Sequence, residues 1–170
     1  GMILLNNGQH FDILVKRSGK KRVLIVDYDA EIVDVLVEIL NADGRFEVMS
    51  AANGFDAGAA TKSFKPDIVL LDYMLPDING LEILEEVRTN KNNLPVIMMT
   101  AHGTVDKAVE SMQKGAYSYI LKPFDNERLI IYVKKAVAMF QVVKENRRLR
   151  DEVKSHYRFG NFIGKSKAMR

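Results

Sequence analysis

Short apolar runs alternate with helix-like segments along the chain from about residue 22 onward. Residues 22–26, 67–71 and 95–99 are apolar almost throughout, which predicts strands that are buried on both faces of a sheet. Residues 46–50 and 116–121 predict two further strands. Helical spacing of apolar or small side chains predicts the intervening helices at 30–42, 57–64, 81–88 and 105–113, and a long helix from about residue 126.

This alternation of five strands with five helices is typical of βαβ units. It predicts a three-layer α/β fold, in which helices cover both faces of a five-stranded parallel sheet. The expected strand order is 2-1-3-4-5, one of the two common orders in sheets of this kind. The last helix is expected to extend beyond this core.

Polar residues follow directly on four of the predicted strands. Asp27 follows the first strand and Asp72 the third, while Thr100 follows the fourth and Lys122 the fifth. Ligands bind at the carboxyl ends of the strands in open α/β sheets, so these side chains are expected to converge. Any one of them alone could be an ordinary loop residue. Two acids set after buried strands, however, repel each other unless a cation joins them.

The side chains at this edge fit phosphoryl transfer. Mg²⁺ prefers oxygen ligands and needs only one or two carboxylates, so it is the expected ion. An aspartate can act as a nucleophile toward phosphorus, and Asp72 is the candidate. Lys122 and Thr100 are of the types that stabilise charge on the equatorial oxygens of a phosphoryl group in transfer.

Four stretches of the sequence together resemble the receiver domain of response regulators in two-component signalling. They read VLIVD at 23–27, VLLDYMLPDING at 69–80, MMTA at 98–101 and YILKPF at 119–124. The resemblance covers residues 22–138 in order. It implies a flavodoxin-like or CheY-like fold and a phosphoryl group received from a sensor histidine kinase. It implies no enzyme activity beyond phosphoryl transfer to, and hydrolysis from, the receiver itself.

The resemblance also assigns roles to individual residues. It implies that Asp72 is the phosphoacceptor, that Asp27 belongs to the acidic pocket, and that Thr100 and Lys122 contact the phosphoryl group. The backbone carbonyl of Met74 is implied as a ligand of Mg²⁺, together with Asp27 and Asp72. The peptide bond before Pro123 is expected to be cis.

Thr100 and Tyr119 resemble the switch pair of the family. The resemblance implies that phosphorylation draws the Thr100 hydroxyl inward and that the Tyr119 ring follows, which would bias a two-state element. The alternative for Tyr119 is an ordinary half-buried strand aromatic.

One position departs from the family pattern. Receivers normally carry two adjacent acids after the first strand, and the second of them usually ligates the metal, but here that position holds Tyr28. Asp29 follows and could reach the site after a local shift or through a water. The departure predicts weakened Mg²⁺ binding.

The predicted last helix continues beyond the receiver as a linker over residues 139–158. Residues that are mostly apolar recur there at alternating steps of three and four positions, the spacing of a coiled-coil seam. This spacing favours a short parallel coiled coil and a homodimer over a single solvated helix. The seam consists of Met139, Val142, Asn146, Leu149, Val153 and His156.

The two ends of the chain add further expectations. The stretch FIGKSKAM at 162–169 resembles the start of the AAA+ domain of sigma-54-dependent activators of the NtrC/DctD type, so residues 159–170 are interpreted as the start of such a domain, here truncated. DNA and sigma-54 RNA polymerase would then be contacted only through domains missing from this chain. Residues 1–21 are interpreted as an N-terminal arm, with a hairpin around Asn7-Gly8 as the alternative.

Charge and composition limit the possible partners. The end segments 1–22 and 144–170 carry net charges of +4 and +6, and the segment between them carries −7. Basic tails around an acidic body are not the basic folded face that a compact nucleic-acid binder shows. The sequence has no cysteine and no apolar run of the roughly 18 residues that suggest a membrane span. A cytoplasmic protein without membrane contact is expected.

Two rival functions remain open at this point. The first is a pseudo-receiver that binds or dimerises without efficient phosphorylation, because Tyr28 replaces an acid. The second is a phosphatase resembling the haloacid dehalogenases, in which Asp27 would be the nucleophile. The second leaves the segment from Asp72 to Pro76 unexplained.

Overall fold

The computed structural model describes residues 19–90, 94–101 and 104–168, with side chains as far as residue 155. Within these ranges, five strands form one parallel sheet in the order β2-β1-β3-β4-β5. This confirms the predicted topology. The strands are β1 (Lys21–Val26), β2 (Phe46–Ala51), β3 (Ile68–Asp72), β4 (Val96–Thr100) and β5 (Ser118–Leu121).

The helices follow the strands as predicted, with shifts at their ends. Predicted strands at 67–71 and 95–99 each lie one residue further along the chain, so Asp72 and Thr100 are the last residues of β3 and β4. The helices are α1 (Ala30–Asp43), α2 (Gly54–Phe64), α3 (Gly80–Asn90), α4 (Val105–Gln113) and α5 (Asn126–Ala168).

Helix α2 begins three residues earlier than the sequence pattern predicted. The Asn53 side chain accepts the Asp56 N–H at 2.8 Å and caps the helix. The carboxylate of Asp77, from the loop after β3, accepts the N–H groups of Gly54 and Phe55 at 2.8 and 3.0 Å. These acceptors satisfy N–H groups that lack intrahelical partners, so the glycine-containing first turn is stable as helix.

Alternate residues of the central strands enter two separate cores, one on each face of the sheet. Leu24 and Leu71 pack on the side of α2 and α3, whereas Ile25 and Leu70 pack on the side of α1 and α5. Burial on both faces explains why these strands read as continuous apolar runs. The sheet is thereby packed on both faces, and its carboxyl edge carries the loops that hold the polar residues.

Helix α5 continues from the receiver core into the predicted linker. Its side chains from 141 to 155 are all exposed, and the helix passes residue 158 without a break. The proposed division at 139 and 158 therefore stays a prediction. The arm or hairpin predicted for residues 1–21 lies almost wholly outside the described residues. No helix in the described part of the chain is long and apolar enough to span a membrane.

Two glycines should respond in opposite ways to replacement by alanine. A Cβ added at Gly58, within α2, meets no atom within 4 Å, whereas one at Gly80 collides with the Asp72 carbonyl oxygen and lies 3.0 Å from Tyr73 Cα. Gly58→Ala should stabilise the protein by roughly 0.5–1 kcal/mol through helix propensity. Gly80→Ala should destabilise it, because backbone atoms cannot move aside cheaply. Urea unfolding of both variants tests this, and equal effects would contradict it.

Candidate functional site

The four strand-end residues predicted from the sequence lie together at the carboxyl edge of the sheet. Asp27, Asp72 and Thr100 are buried polar residues, and the side chain of Lys122 is also mostly buried. The Lys122 ammonium lies 2.5 Å from Asp27 Oδ2 and 3.6 Å from Asp72 Oδ2. One ammonium group thus joins the two carboxylates.

Backbone contacts fix the position of this lysine. The Lys122 N–H donates to the Thr100 carbonyl oxygen at 2.8 Å, which ties the residue after β5 to the end of β4. The Lys122–Pro123 peptide bond is cis, as the resemblance implied. The lysine side chain extends from the end of β5 to the carboxylates of Asp72 on β3 and Asp27 after β1.

Each carboxylate uses its other oxygen on a backbone N–H of the following loop. Asp27 Oδ1 accepts the Asp29 N–H at 2.9 Å, and Asp72 Oδ1 accepts the Met74 N–H at 3.5 Å. The contact of Asp72 with its backbone N–H is the longer of the two. The Asp72 side chain is also the more exposed, at 13%, whereas that of Asp27 is 0% exposed. Asp72 is thus the acid that an incoming group can reach.

Electrostatics at the site leave a demand for positive charge. Burial, and after it the negative charge of Asp27, raises the pKa of Asp72 to about 6, although Lys122 and the Met74 N–H act in the opposite direction. The Lys122 ammonium therefore does not fully offset burial and the neighbouring acid. A further cation, or the donors of a bound ligand, would relieve the remaining repulsion.

The residues present fit a Mg²⁺ ion with few protein ligands. Candidate donors are the Asp27 and Asp72 carboxylates and the Met74 carbonyl. Across 19–90, 94–101 and 104–168, no three His, Cys, Asp or Glu side chains are grouped so as to hold a metal. Two carboxylates are nevertheless enough for Mg²⁺, which keeps several waters.

Neither Tyr28 nor Asp29 directs a carboxylate into the pocket in place of the acid that the family pattern has after Asp27. The Tyr28 side chain is 67% exposed and provides no carboxylate to the pocket. Asp29 is the N-cap of α1, where its Oδ1 accepts the Glu31 N–H at 3.0 Å. Use of Asp29 as a metal ligand would compete with this cap.

Thr100 and Tyr119 lie on the adjacent strands β4 and β5. Tyr119 is half-buried, and its ring packs against the core on the α2–α3 side. Burial raises the pKa of the Tyr119 phenol, and the nearby Thr100 hydroxyl offsets part of that rise. The two proposed switch residues are thus close neighbours.

Sequence reasoning missed Tyr73, which directly follows the candidate phosphoacceptor. Its phenol donates to Glu110 Oε1 at 3.3 Å, and the Lys107 ammonium lies 5.0 Å from the centre of its ring. Both partners belong to α4. Position next to Asp72 was the available signal, but nothing in the local sequence identified partners more than 30 residues away.

A 2-1-3-4-5 parallel sheet that gathers two acids, a hydroxyl and a lysine at its carboxyl edge defines the receiver class of signalling module. The family model described as "Response regulator receiver domain" matches residues 23–134. The chain belongs to this family, whose members generally bind Mg²⁺ at the phosphorylation site. Receivers are signalling modules rather than classical enzymes.

Curated relatives and solved structures support this assignment. The chain is 34% identical over 148 residues to Regulatory protein AtoC of Escherichia coli K12. The aligned region covers 87% of this chain and 32% of AtoC. It is 38% identical over 115 residues to Sporulation initiation phosphotransferase F of Bacillus subtilis 168, covering 68% and 92%.

The beryllofluoride-activated NtrC4 receiver domain dimer is a similar solved structure. Its TM-score is 0.67 at 33% identity, with 70% of this chain and 98% of that chain covered. The matched region corresponds to the receiver portion of regulators of the NtrC type. The chain spans about a third of AtoC, so the activity of the whole relative is not carried over with the fold.

The raised pKa of Asp72 predicts an effect on stability with a defined sign. Its pKa of about 6 in the folded chain exceeds the ordinary 3.8, so folding favours the protonated acid. Stability from this group is present at low pH and is lost as the pH rises through 6. Asp72→Asn should therefore stabilise the metal-free protein at pH 7 by on the order of 1–2 kcal/mol, and the gain should shrink toward pH 4.

Urea unfolding in EDTA between pH 4.5 and 7.5 measures this gain. Asp77→Asn is the control, because the N–H groups of Gly54 and Phe55 lower the pKa of Asp77, so loss of its charge should have the opposite sign. An Asp72→Asn protein that is no more stable than the wild type at pH 7 would contradict the raised pKa of Asp72.

Proposed function

We propose that this receiver accepts a phosphoryl group on Asp72 from a sensor histidine kinase. The modified domain then changes its conformation or dimerisation and so controls a downstream transcription-activating domain. The single observation that carries the proposal is the Lys122 ammonium, which lies within 3.6 Å of the accessible Asp72 carboxylate and also bonds Asp27. A cation this close to Asp72 supports the proposal, because it can offset the negative charge that gathers during phosphoryl transfer.

The proposed reaction is a displacement at phosphorus. An oxygen of the ionised Asp72 carboxylate forms the new P–O bond, the P–N bond of the donor phosphohistidine breaks, and its electron pair returns to the imidazole. Lys122 and Thr100 are positioned at the carboxyl edge to donate to phosphoryl oxygens. Such transfer depends mainly on positioning and on electrostatic stabilisation.

Asp27, Asp72 and the Met74 backbone carbonyl are proposed to hold Mg²⁺. When bound, the ion supplies positive charge that screens the incoming phosphoryl group from the two carboxylates. Asp27 remains fixed by the Asp29 N–H and by Lys122, so it serves as a ligand and not as the nucleophile.

The proposed output is a coupled movement of Thr100 and Tyr119. A phosphoryl group on Asp72 would attract the Thr100 hydroxyl, and the Tyr119 ring would occupy the space that the hydroxyl leaves. Tyr119 pairs in register with Met98 on β4, two residue pairs before Thr100 and Leu121 and therefore on the same face of the sheet. A change at Thr100 can therefore reach the β5 side of the domain directly.

Incubation with acetyl phosphate and Mg²⁺ followed by intact-mass measurement tests the phosphoacceptor. The wild type should gain one labile phosphoryl group, and Asp72→Asn should gain none. Asp27→Asn serves as the comparison: an adduct that disappears only in this variant would support the phosphatase-like alternative. No adduct on the wild type would support the pseudo-receiver, which the exposed Tyr28 favours.

Tyr28 sets the expected affinity for Mg²⁺. Tyr28→Asp should bind the ion more tightly than the wild type, because a third carboxylate then joins Asp27 and Asp72. Tyr28→Phe is the matched control, since it keeps the ring and adds no charge. Calorimetric titration with MgCl₂ measures all three proteins, and equal or tighter binding by the wild type would refute the role given to this position.

We further propose that the linker part of α5 forms a parallel homodimer. Met139, Val142, Leu149 and Val153 are 45–67% exposed and recur at coiled-coil spacing, with Asn146 between them. Arg148 pairs with Glu145 and Glu152 along the same helix. An apolar seam flanked by charge suits a two-stranded coiled coil. Contacts with DNA and sigma-54 RNA polymerase would be made through other domains, in keeping with the resemblance of residues 159–170.

Analytical ultracentrifugation of seam variants tests the dimer. Leu149→Lys should weaken self-association at least about tenfold, because two lysines would face each other across an apolar seam. Asp151→Lys, two residues along the helix and off the seam, should change it little. Runs with and without beryllofluoride show whether a phosphoryl mimic strengthens the dimer. Equal effects of the two substitutions would exclude this seam as the interface.

A further inference from the structure

Helix α4 is held to the domain by few buried side chains. Of its nine residues, all within the described ranges, Ser111 is the one that is fully buried. Val105, Val109 and Met112 are large, apolar and exposed, and their spacing places them on a shared side of the helix. Since α4 buries so little apolar surface, its position depends on a small number of specific contacts.

Tyr73 provides two of these contacts. Its phenol donates to Glu110 Oε1 at 3.3 Å, and the Lys107 ammonium lies over its ring at 5.0 Å from the centre. Glu110 and Lys107 are three residues apart, so they are neighbours on the surface of α4. The helix therefore holds the Tyr73 side chain at both its polar tip and its aromatic face.

The backbone of Tyr73 is held by hydrogen bonds as well. Its N–H donates to the Met99 carbonyl at 2.8 Å, and its carbonyl accepts the Gly80 N–H at 2.9 Å. The residue is only 7% exposed. Tyr73 directly follows Asp72, so its backbone and side-chain contacts join the end of β3 to α4.

Tyr73 also lies beside the proposed switch. Burial raises the pKa of the Tyr73 phenol, Glu110 raises it further, and the Tyr119 phenol adds a smaller contribution. Tyr119 packs against the same core cluster to which Tyr73 belongs, so the two side chains lie in one part of the domain. Tyr73 is in contact with α4 and near β5, so it stands between the phosphoacceptor and both elements.

We propose that Tyr73 is a positioning residue that acts through Glu110 and Lys107 to hold α4 in the arrangement of the unphosphorylated domain. The inference rests on the proposed function of Asp72 and adds a second connection beside the Thr100–Tyr119 pair. A hydrogen bond made in only one of two states biases the equilibrium toward that state. Its loss must then favour ligands of the other state by the same factor.

Tyr73→Phe isolates the phenol hydroxyl. The variant keeps the ring, its burial and its contact with Lys107, and loses only the donor to Glu110. It should bind beryllofluoride, in the presence of MgCl₂, about two- to fivefold more tightly than the wild type, since the lost bond is a partly exposed one. Hydrogen exchange of backbone amides in 104–115 should be faster in the variant without the mimic.

Glu110→Ala and the double variant separate coupling from general damage. Glu110→Ala removes the acceptor of the Tyr73 hydroxyl, so it should tighten beryllofluoride binding to a similar extent, and adding it to Tyr73→Phe should bring little further change. Asp106→Ala is the matched control, because it removes a carboxylate from α4 at a residue that is not a partner of the Tyr73 hydroxyl. It should leave the affinity as it is.

The outcomes distinguish this inference from the function on which it rests. A Tyr73→Phe protein that is phosphorylated by acetyl phosphate but binds beryllofluoride with unchanged or weaker affinity would overturn the role of Tyr73 and leave Asp72 as the phosphoacceptor. Additive effects in the double variant would overturn the route through Glu110. A wild type that takes up neither phosphoryl group nor mimic would overturn both proposals.

Discussion

The shared Lys122 ammonium is the interaction on which the rest of the site depends. Without it, two carboxylates would be buried side by side at the end of a sheet whose strands are apolar on both faces, an arrangement with a high electrostatic cost. The strands β1, β3, β4 and β5 bring Asp27, Asp72, Thr100 and Lys122 together, because parallel strands have their carboxyl ends at the same edge. The lysine thus makes the fold tolerate the acid pair, and the negative charge that it leaves unneutralised favours a further cation at this edge.

The role proposed for Asp72 sets stability against function. Asp72 is the more exposed of the two acids, and burial together with the charge of Asp27 raises its pKa, so its ionised form costs stability in the metal-free fold. Asp27 is more completely enclosed and lies closer to the Lys122 ammonium. Under the proposed function, these differences in burial and in contact distance give two residues of the same type different roles.

The sequence was informative wherever local order and three-dimensional position coincide. Strand ends could be read from the apolar runs, and the parallel topology then brought Asp27, Asp72, Thr100 and Lys122 together. It was less informative where a contact joins distant segments. The start of α2 depends partly on Asp77. The contacts of Tyr73 with Glu110 and Lys107 depend on the rotation of α4 about its own axis. Neither follows from hydrophobic periodicity, which fixes which side of a helix faces the core but not which polar groups meet.

The loop that leaves Asp72 is closed at both ends, and this limits how the protein can vary. Gly80 returns its N–H to the Tyr73 carbonyl, a bridge joins Met74 to Asn79, and Asp77 is bound to the first turn of α2. An inserted residue would break the return to Tyr73 or pull Asp77 from the helix. Surface loops generally tolerate changes in length, but the length of this one is fixed by contacts at both of its ends. Diversity among relatives of this chain should therefore arise there by substitution rather than by insertion.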